Sequence, residues 1–307
     1  MKFYVLALLF ILTGCCHKSV HPNKSGYLSF DQGKIYYETY GKGEPIIVLH
    51  GGPGQGHNHL LPQMLELAKH NQVTFYDQRG CGKSTDTPYD KKYISHAQFI
   101  EDLDALRKSL GYEKVTLLRH SYGGLLSMKY AIKYPEHVKS MILVSTSPAT
   151  LKGNQIFMQN YAKNVVKVKG AIDPTKELSD KEKYDVALMT KQMTALSSIY
   201  FYNPEKAKEE TVYFTQDSLK GFWKTLDIFL PEYTTKQFDL RPELAKLTIP
   251  TLIIHGDHDI IPLSTAKEIH VAMSTSKLDI IKDCNHNPFI EKPKEFFGAI
   301  DEFMRKD

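Results

Sequence analysis

Short apolar runs recur along the chain at residues 45–50, 72–77, 115–120, 140–146, 251–256 and 278–283. Runs of this length and composition suit strands buried on both faces, the environment of a parallel sheet covered by helices. Between several of them the pattern becomes helical. Residues 96–110 place Phe99, Leu103, Leu106 and Leu110 three and four apart, on one stripe of a helix. Residues 122–134 and 294–304 read the same way. Strands alternating with helices predict an α/β fold, with a mostly parallel sheet, helices on both faces and right-handed crossovers. Ahead of it, residues 27–30 and 34–40 flank Asp31-Gln32-Gly33, the signal of a β-hairpin.

The alternation stops near residue 147 and resumes near 247. Residues 148–246 carry helical patterns and many Lys, Glu and Tyr, but no clear buried strand. They are expected to form a helical lid over the carboxyl edge of the sheet, where ligands bind in open α/β folds. The expected core is then residues 27–147 together with 247–307.

The first residues belong to neither part. Residues 1–14 read MKFYVLALLFILTG, one lysine and an apolar run too short for a permanent membrane span. That is the pattern of a secretory signal. Its end, Leu12-Thr13-Gly14-Cys15, resembles a bacterial lipobox. The resemblance implies cleavage before Cys15, lipid on that cysteine, and residues 15–26 as a tether. It places the protein at the bacterial cell envelope, anchored to a membrane and facing the periplasm or exterior. Thiols can oxidise there. Cys81 and Cys284 alone lie in the expected globular part, both in loops near the expected site. Two cysteines make no disulfide framework, so free thiols are expected, with a bridge as the alternative. The net charge of +4 is too mild to argue for a nucleic-acid partner.

Residues 115–124, VTLLRHSYGG, read as a strand, a sharp turn and a helix start. They resemble the nucleophile elbow of α/β-hydrolases, G-x-S-x-G, which lifts Ser121 above the sheet edge at a helix N-terminus. Arg119 stands where that pattern has its first glycine. The place is crowded, and an arginine there either shifts locally, distorts the nucleophile or ends its activity. A serine hydroxyl needs a base, and this fold supplies partners in the order Ser, Asp, His. Residues 256–262, GDHDIIP, resemble the acid loop G-x-x-D-x-x-P and imply Asp259, with Asp257 as competitor. Residues 283–289, DCNHNPF, resemble the final histidine loop and imply His286, with Asn285 in place of the usual glycine. His286 would take the Ser121 proton while Asp259 holds its tautomer. In residues 50–54, HGGPG, glycines let backbone N–H groups face a substrate oxygen, so the N–H groups of Gly52 and Tyr122 are the expected oxyanion hole.

Residues 77–84, DQRGCGKS, lack the phosphate-loop spacing and read as a tight supporting loop beside the site. Together with HGGPG they resemble the proline iminopeptidase branch of the α/β-hydrolases. The likeness covers about residues 27–147 and 247–306. It implies hydrolysis of an ester or amide through an acyl-enzyme, without metal or cofactor. For that branch it implies release of an N-terminal residue, often proline, from a small molecule or short peptide. Many members carry Glu just after the triad acid to grip the substrate's amino group. Here that position is Ile260, and the lid acids Glu205, Glu209, Glu210 and Glu232 are the candidates to replace it. A carboxylesterase with the same triad needs no such acid. A binding protein on an inactive hydrolase scaffold is the remaining alternative, with Arg119 as its support.

Overall fold

The computed structural model describes residues 21–52, 54–170, 178–210 and 212–305. The expected signal segment and Cys15 lie outside the described residues, and so does the side chain of Glu232.

The strands are β1 (Lys24–Phe30), β2 (Gly33–Tyr40), β3 (Glu44–Leu49), β4 (Asn71–Tyr76), β5 (Val115–His120), β6 (Val138–Val144), β7 (Thr251–Gly256) and β8 (Ser276–Ile281). They form an 8-stranded sheet in the order β1-β2-β4-β3-β5-β6-β7-β8. β1, β2 and β4 pair antiparallel, and every pairing from β4 to β8 is parallel. Neighbouring residues on a strand face opposite layers. In β3, Ile47 and Leu49 join one core while Ile46 and Val48 join the other. In β5, Leu117 and Leu118 divide in the same way. This two-sided burial is why the strands read as unbroken apolar runs.

One face is covered by α1 (His96–Ser109), α2 (Tyr122–Lys133) and α6 (Leu263–Ala272), which contribute Phe99, Leu103, Leu125 and Ile269 to its core. The other is covered by α7 (Pro293–Met304), through Phe296 and Ile300. Ser95 starts α1 by accepting a hydrogen bond from the Gln98 N–H at 3.3 Å.

Between β6 and β7 run α3 (Leu151–Val165), α4 (Val186–Ser197) and α5 (Gln216–Thr235), with no sheet strand among the described residues. The ends of this insertion are tied together. Leu151 N–H donates to Phe238 C=O at 3.1 Å, and Leu240 N–H donates to Ala149 C=O at 2.9 Å.

Two expectations need correction. The tether does not extend to residue 26, because Lys24, Ser25 and Gly26 already pair with Thr39, Glu38 and Tyr37 in β1. Backbone bonds recruit them at the sheet edge, where their polar side chains give no apolar signal. The last strand stops at Ile281 rather than 283, because Asp283 takes a left-handed φ of 49°. Cys81 and Cys284 are both free and buried.

Candidate active site

β5 ends at His120 and α2 begins at Tyr122, so Ser121 alone makes the turn. Its φ of 55° and ψ of −124° are strained for a residue with a Cβ. Neighbouring backbone fixes it there. Ser121 N–H donates to Val144 C=O at 3.0 Å, and Ser121 C=O accepts from Ser147 N–H at 3.0 Å and Gly124 N–H at 2.9 Å. The glycines make the approach possible. A Cβ on Gly124 would stand 1.8 Å from Thr146 Oγ1, and one on Gly51 would stand 2.9 Å from Ser121 Cβ. The first turn of α2, whose N–H groups lack helical acceptors, is thereby pressed onto the sheet edge.

Arg119 lies on β5, two residues before Ser121. Its side chain is fully buried, and its electrostatic neighbours Tyr76 and Tyr130 belong to the core under α1 and α2. Burial pushes its guanidinium down to about 9. None of its three nitrogens has a hydrogen-bond partner among the described residues. The strained elbow stands with arginine in place, and the cost falls on the core instead.

Asp259 and His286 meet directly. His286 Nδ1 is 2.9 Å from Asp259 Oδ1, and both side chains are buried. A carboxylate only accepts, so the proton belongs on Nδ1 and Nε2 keeps its lone pair. Ile261 N–H also donates to Oδ1 at 2.9 Å, and His255 Nε2 stands 3.7 Å from Oδ2. Burial pushes the Asp259 carboxyl up, but its electrostatic interactions with the His286 and His255 rings and these hydrogen bonds outweigh it. The group is held well below the usual carboxylate range. Asp257 is no rival, since its carboxylate turns to Lys282 at 3.4 Å and to the Cys284 N–H. Ser121 is joined to this pair through its neighbour: His120 Nε2 donates to His286 C=O at 2.9 Å.

The two glycine-rich loops form one frame. Gln78 N–H donates to His50 Nε2 and Gln78 Nε2 donates to His50 C=O, both at 3.0 Å. Asp77 Oδ1 accepts from the N–H and Nδ1 of His57 at 2.8 Å each, and Oδ2 accepts from Lys83 N–H at 2.8 Å. Gly82 permits this, because a Cβ there would stand 2.4 Å from the Asp77 carboxylate. His57 is buried, with Glu38 3.6 Å away on its other side. Burial lowers its affinity for a proton, but Asp77 and Glu38 outweigh burial and raise the imidazole to about 9. Both ends of the loop bearing Gly52 are thus bolted to residues 77–83. Gly52 itself holds a left-handed φ of 54°.

A cavity of about 360 Å³ opens between this loop and the lid, lined among others by Gly52, His59, Tyr161, Tyr200, Glu210 and Phe222. Of the lid acids, Glu205 and Glu209 are exposed and pair with Lys208 and Lys206. Glu210 differs. The residue is half-buried, but its Oε2 is closed off from solvent and has no hydrogen-bond partner. Burial raises its carboxyl above the ordinary value, against the lowering pull of Ser197 and His286. Sequence alone could not separate these acids, because burial depends on how the lid folds. Tyr200, a position no sequence motif marks, brings its ring to 5.1 Å from the His286 ring. Among the described residues no three of His, Cys, Asp and Glu come together in a way that could hold a metal ion.

The sequence pattern of a family described as alpha/beta hydrolase fold matches residues 44–293. The chain belongs to the α/β-hydrolase family. It is a hydrolase of that fold. It is 30% identical to a proline iminopeptidase of Saccharolobus solfataricus, over 92% of each chain. It is also 30% identical to a proline iminopeptidase of Thermoplasma volcanium, over 92% of this chain and 97% of that one. Among solved α/β-hydrolase structures, an esterase from Rhodococcus sp. ECU1013 superposes with a TM-score of 0.68 at 23% identity, covering 92% of this chain and 98% of that one. A Mycobacterium smegmatis proline iminopeptidase gives 0.65 at 22%, with the same coverage. These structural likenesses speak for the fold alone.

Proposed function

We propose that this α/β-hydrolase is a serine aminopeptidase that releases the N-terminal residue of short peptides. The observation that carries the reading is Glu210, a carboxyl that lines the cavity and whose Oε2 has no hydrogen-bond partner among the described residues. A substrate's α-ammonium would supply the partner that this oxygen lacks. Ser121 Oγ would attack the carbonyl of the N-terminal residue while His286 Nε2 takes its proton. The N–H groups of Gly52 and Tyr122 would hold the oxyanion. His286 would then protonate the departing amine. Water activated by the same nitrogen would release the amino acid from Ser121. The likeness to proline iminopeptidases supports this order of events.

An esterase with the same machinery is the second reading. Ile260, buried beside Asp259, offers an amine nothing to bind, and the cavity is mostly apolar. Arg119 lends less to an inactive scaffold, since the elbow keeps its strained dihedrals around it.

The test compares an aminoacyl-arylamide, its N-acetylated form and a short acyl ester. An aminopeptidase cleaves the free amine about a hundredfold faster than the acetylated form, and Glu210→Gln erases most of that preference. Equal rates on both amides, with fast ester hydrolysis, would establish the esterase. The segment ending at Cys15 supports placing this activity at the cell envelope.

A further inference from the structure

We infer that Asn285 is a positioning residue that couples the seat of the lid to the Asp259–His286 pair. The inference rests on the serine hydrolase reading above. The position is glycine in the pattern this loop resembles, and glycine has no side chain with which to do the same.

The Asn285 side chain spans two separate parts of the chain. Its Oδ1 accepts from the N–H of Ile260, the residue directly after Asp259, at 3.0 Å. Its Nδ2 donates to the C=O of Ile199, in the lid, at 3.0 Å. The next residue on each side repeats the link: His286 N–H donates to Tyr200 C=O at 3.1 Å. Asn285 is itself held by Glu291. Glu291 Oε2 accepts the Asn285 N–H at 2.7 Å, while Oε1 accepts the N–H groups of Tyr202 and Asn203 at 2.8 and 3.1 Å. Asn285, His286 and Glu291 are all buried.

The acid loop, the histidine loop and lid residues 199–203 therefore share one network. That lid segment continues to Glu210. A displacement of the lid reaches the backbone of Ile260 through the Asn285 side chain and that of His286 through its bond to Tyr200. Removing the side chain would leave the Ile260 N–H and Ile199 C=O without these partners and loosen the registration of Asp259 against His286. An error of about 1 Å in such a site can cost about a hundredfold in rate.

The experiment measures the rate at which a fluorophosphonate labels Ser121 as a function of pH, in the wild type, Asn285→Gly and Asn285→Asp. Labelling needs the serine and its base but no peptide. Asn285→Gly should label about tenfold more slowly or worse, with the pH midpoint of labelling displaced. Asn285→Asp keeps the acceptor for Ile260 and loses the donor to Ile199, so it should recover part of the rate. On an aminoacyl-arylamide the loss should fall on kcat rather than KM. Should Asn285→Gly fail to fold, Glu291→Gln reads the same network, because its amide has one acceptor oxygen for two sites and must meet the N–H of Asn285, or those of Tyr202 and Asn203, donor to donor. A wild-type rate and midpoint in either folded variant overturn the inference while leaving the hydrolase reading intact. No labelling of the folded wild type would instead sink that reading, and this inference with it.

Discussion

His286 Nδ1 and Asp259 Oδ1 lie 2.9 Å apart with both side chains buried, and the second oxygen of Asp259 has no hydrogen-bond partner. The carboxylate thus has one firm duty to the imidazole, which is to fix its proton on Nδ1. Asp259→Asn would present either an amide N–H or a carbonyl to Nδ1 and would no longer enforce that tautomer. We expect kcat to fall by about 10⁴ with little change in KM. Steady-state kinetics of the folded variant check this, and a loss below tenfold would mean another group orients His286. The carboxyl also contributes to stability. Its folded value lies below the unfolded 3.8, so the contribution is present above 3.8 and is lost only as pH falls through the lower folded value.

His57 gives the opposite sign. Its folded value of about 9 lies above the ordinary 6.5, so the folded state holds its proton more tightly than the unfolded chain. The stability it lends is fully present below 6.5 and is lost as pH rises through about 9. Thermal unfolding should show a Tm that declines across that interval. His57→Gln should flatten the decline and lower Tm at neutral pH. A variant with the wild-type slope would show that another group titrates there.

Much of this architecture was legible because its signals are local. Apolar runs mark strands buried on both sides, and glycine marks backbone that must touch backbone, as at Gly124 against Thr146. The turn at Ser121 and the loops that carry Asp259 and His286 are local patterns, and the structure brings Asp259 and His286 to 2.9 Å. What the sequence withheld depends on long-range approach. Glu210 differs from Glu205 and Glu209 only in where the lid places it. Asn285 reads as a tolerated replacement for glycine until its side chain is seen bridging Ile260 and Ile199. The co-occurrence of HGGPG and DQRGCGKS becomes a physical statement only through His50–Gln78 and His57–Asp77.

The segment ending at Cys15 predicts a covalent lipid, which its sequence pattern suggests independently of the fold. Expressed in a bacterium, the full chain should incorporate a radiolabelled fatty acid and partition with membranes. Cys15→Ala should abolish both while leaving hydrolysis in the soluble fraction. Equal labelling of the variant would rule out Cys15 as the acylated residue.

Arg119 sets the last expectation, and it concerns stability before activity. A guanidinium with no hydrogen-bond partner among the described residues sits wholly inside the core, where an uncompensated charge is expensive. Burial already pulls its affinity for a proton down to about 9, yet at neutral pH it remains charged. Methionine has a similar reach, no charge and the flexibility to fill an irregular space. Replacing buried ionic groups by apolar ones of like volume has stabilised other proteins by about 1–4 kcal/mol. Arg119→Met should therefore raise the urea midpoint of unfolding with an unchanged slope. A lower midpoint would mean that the guanidinium is satisfied inside the core by ordered water, and that the charge supports the floor beneath Ser121 rather than straining it.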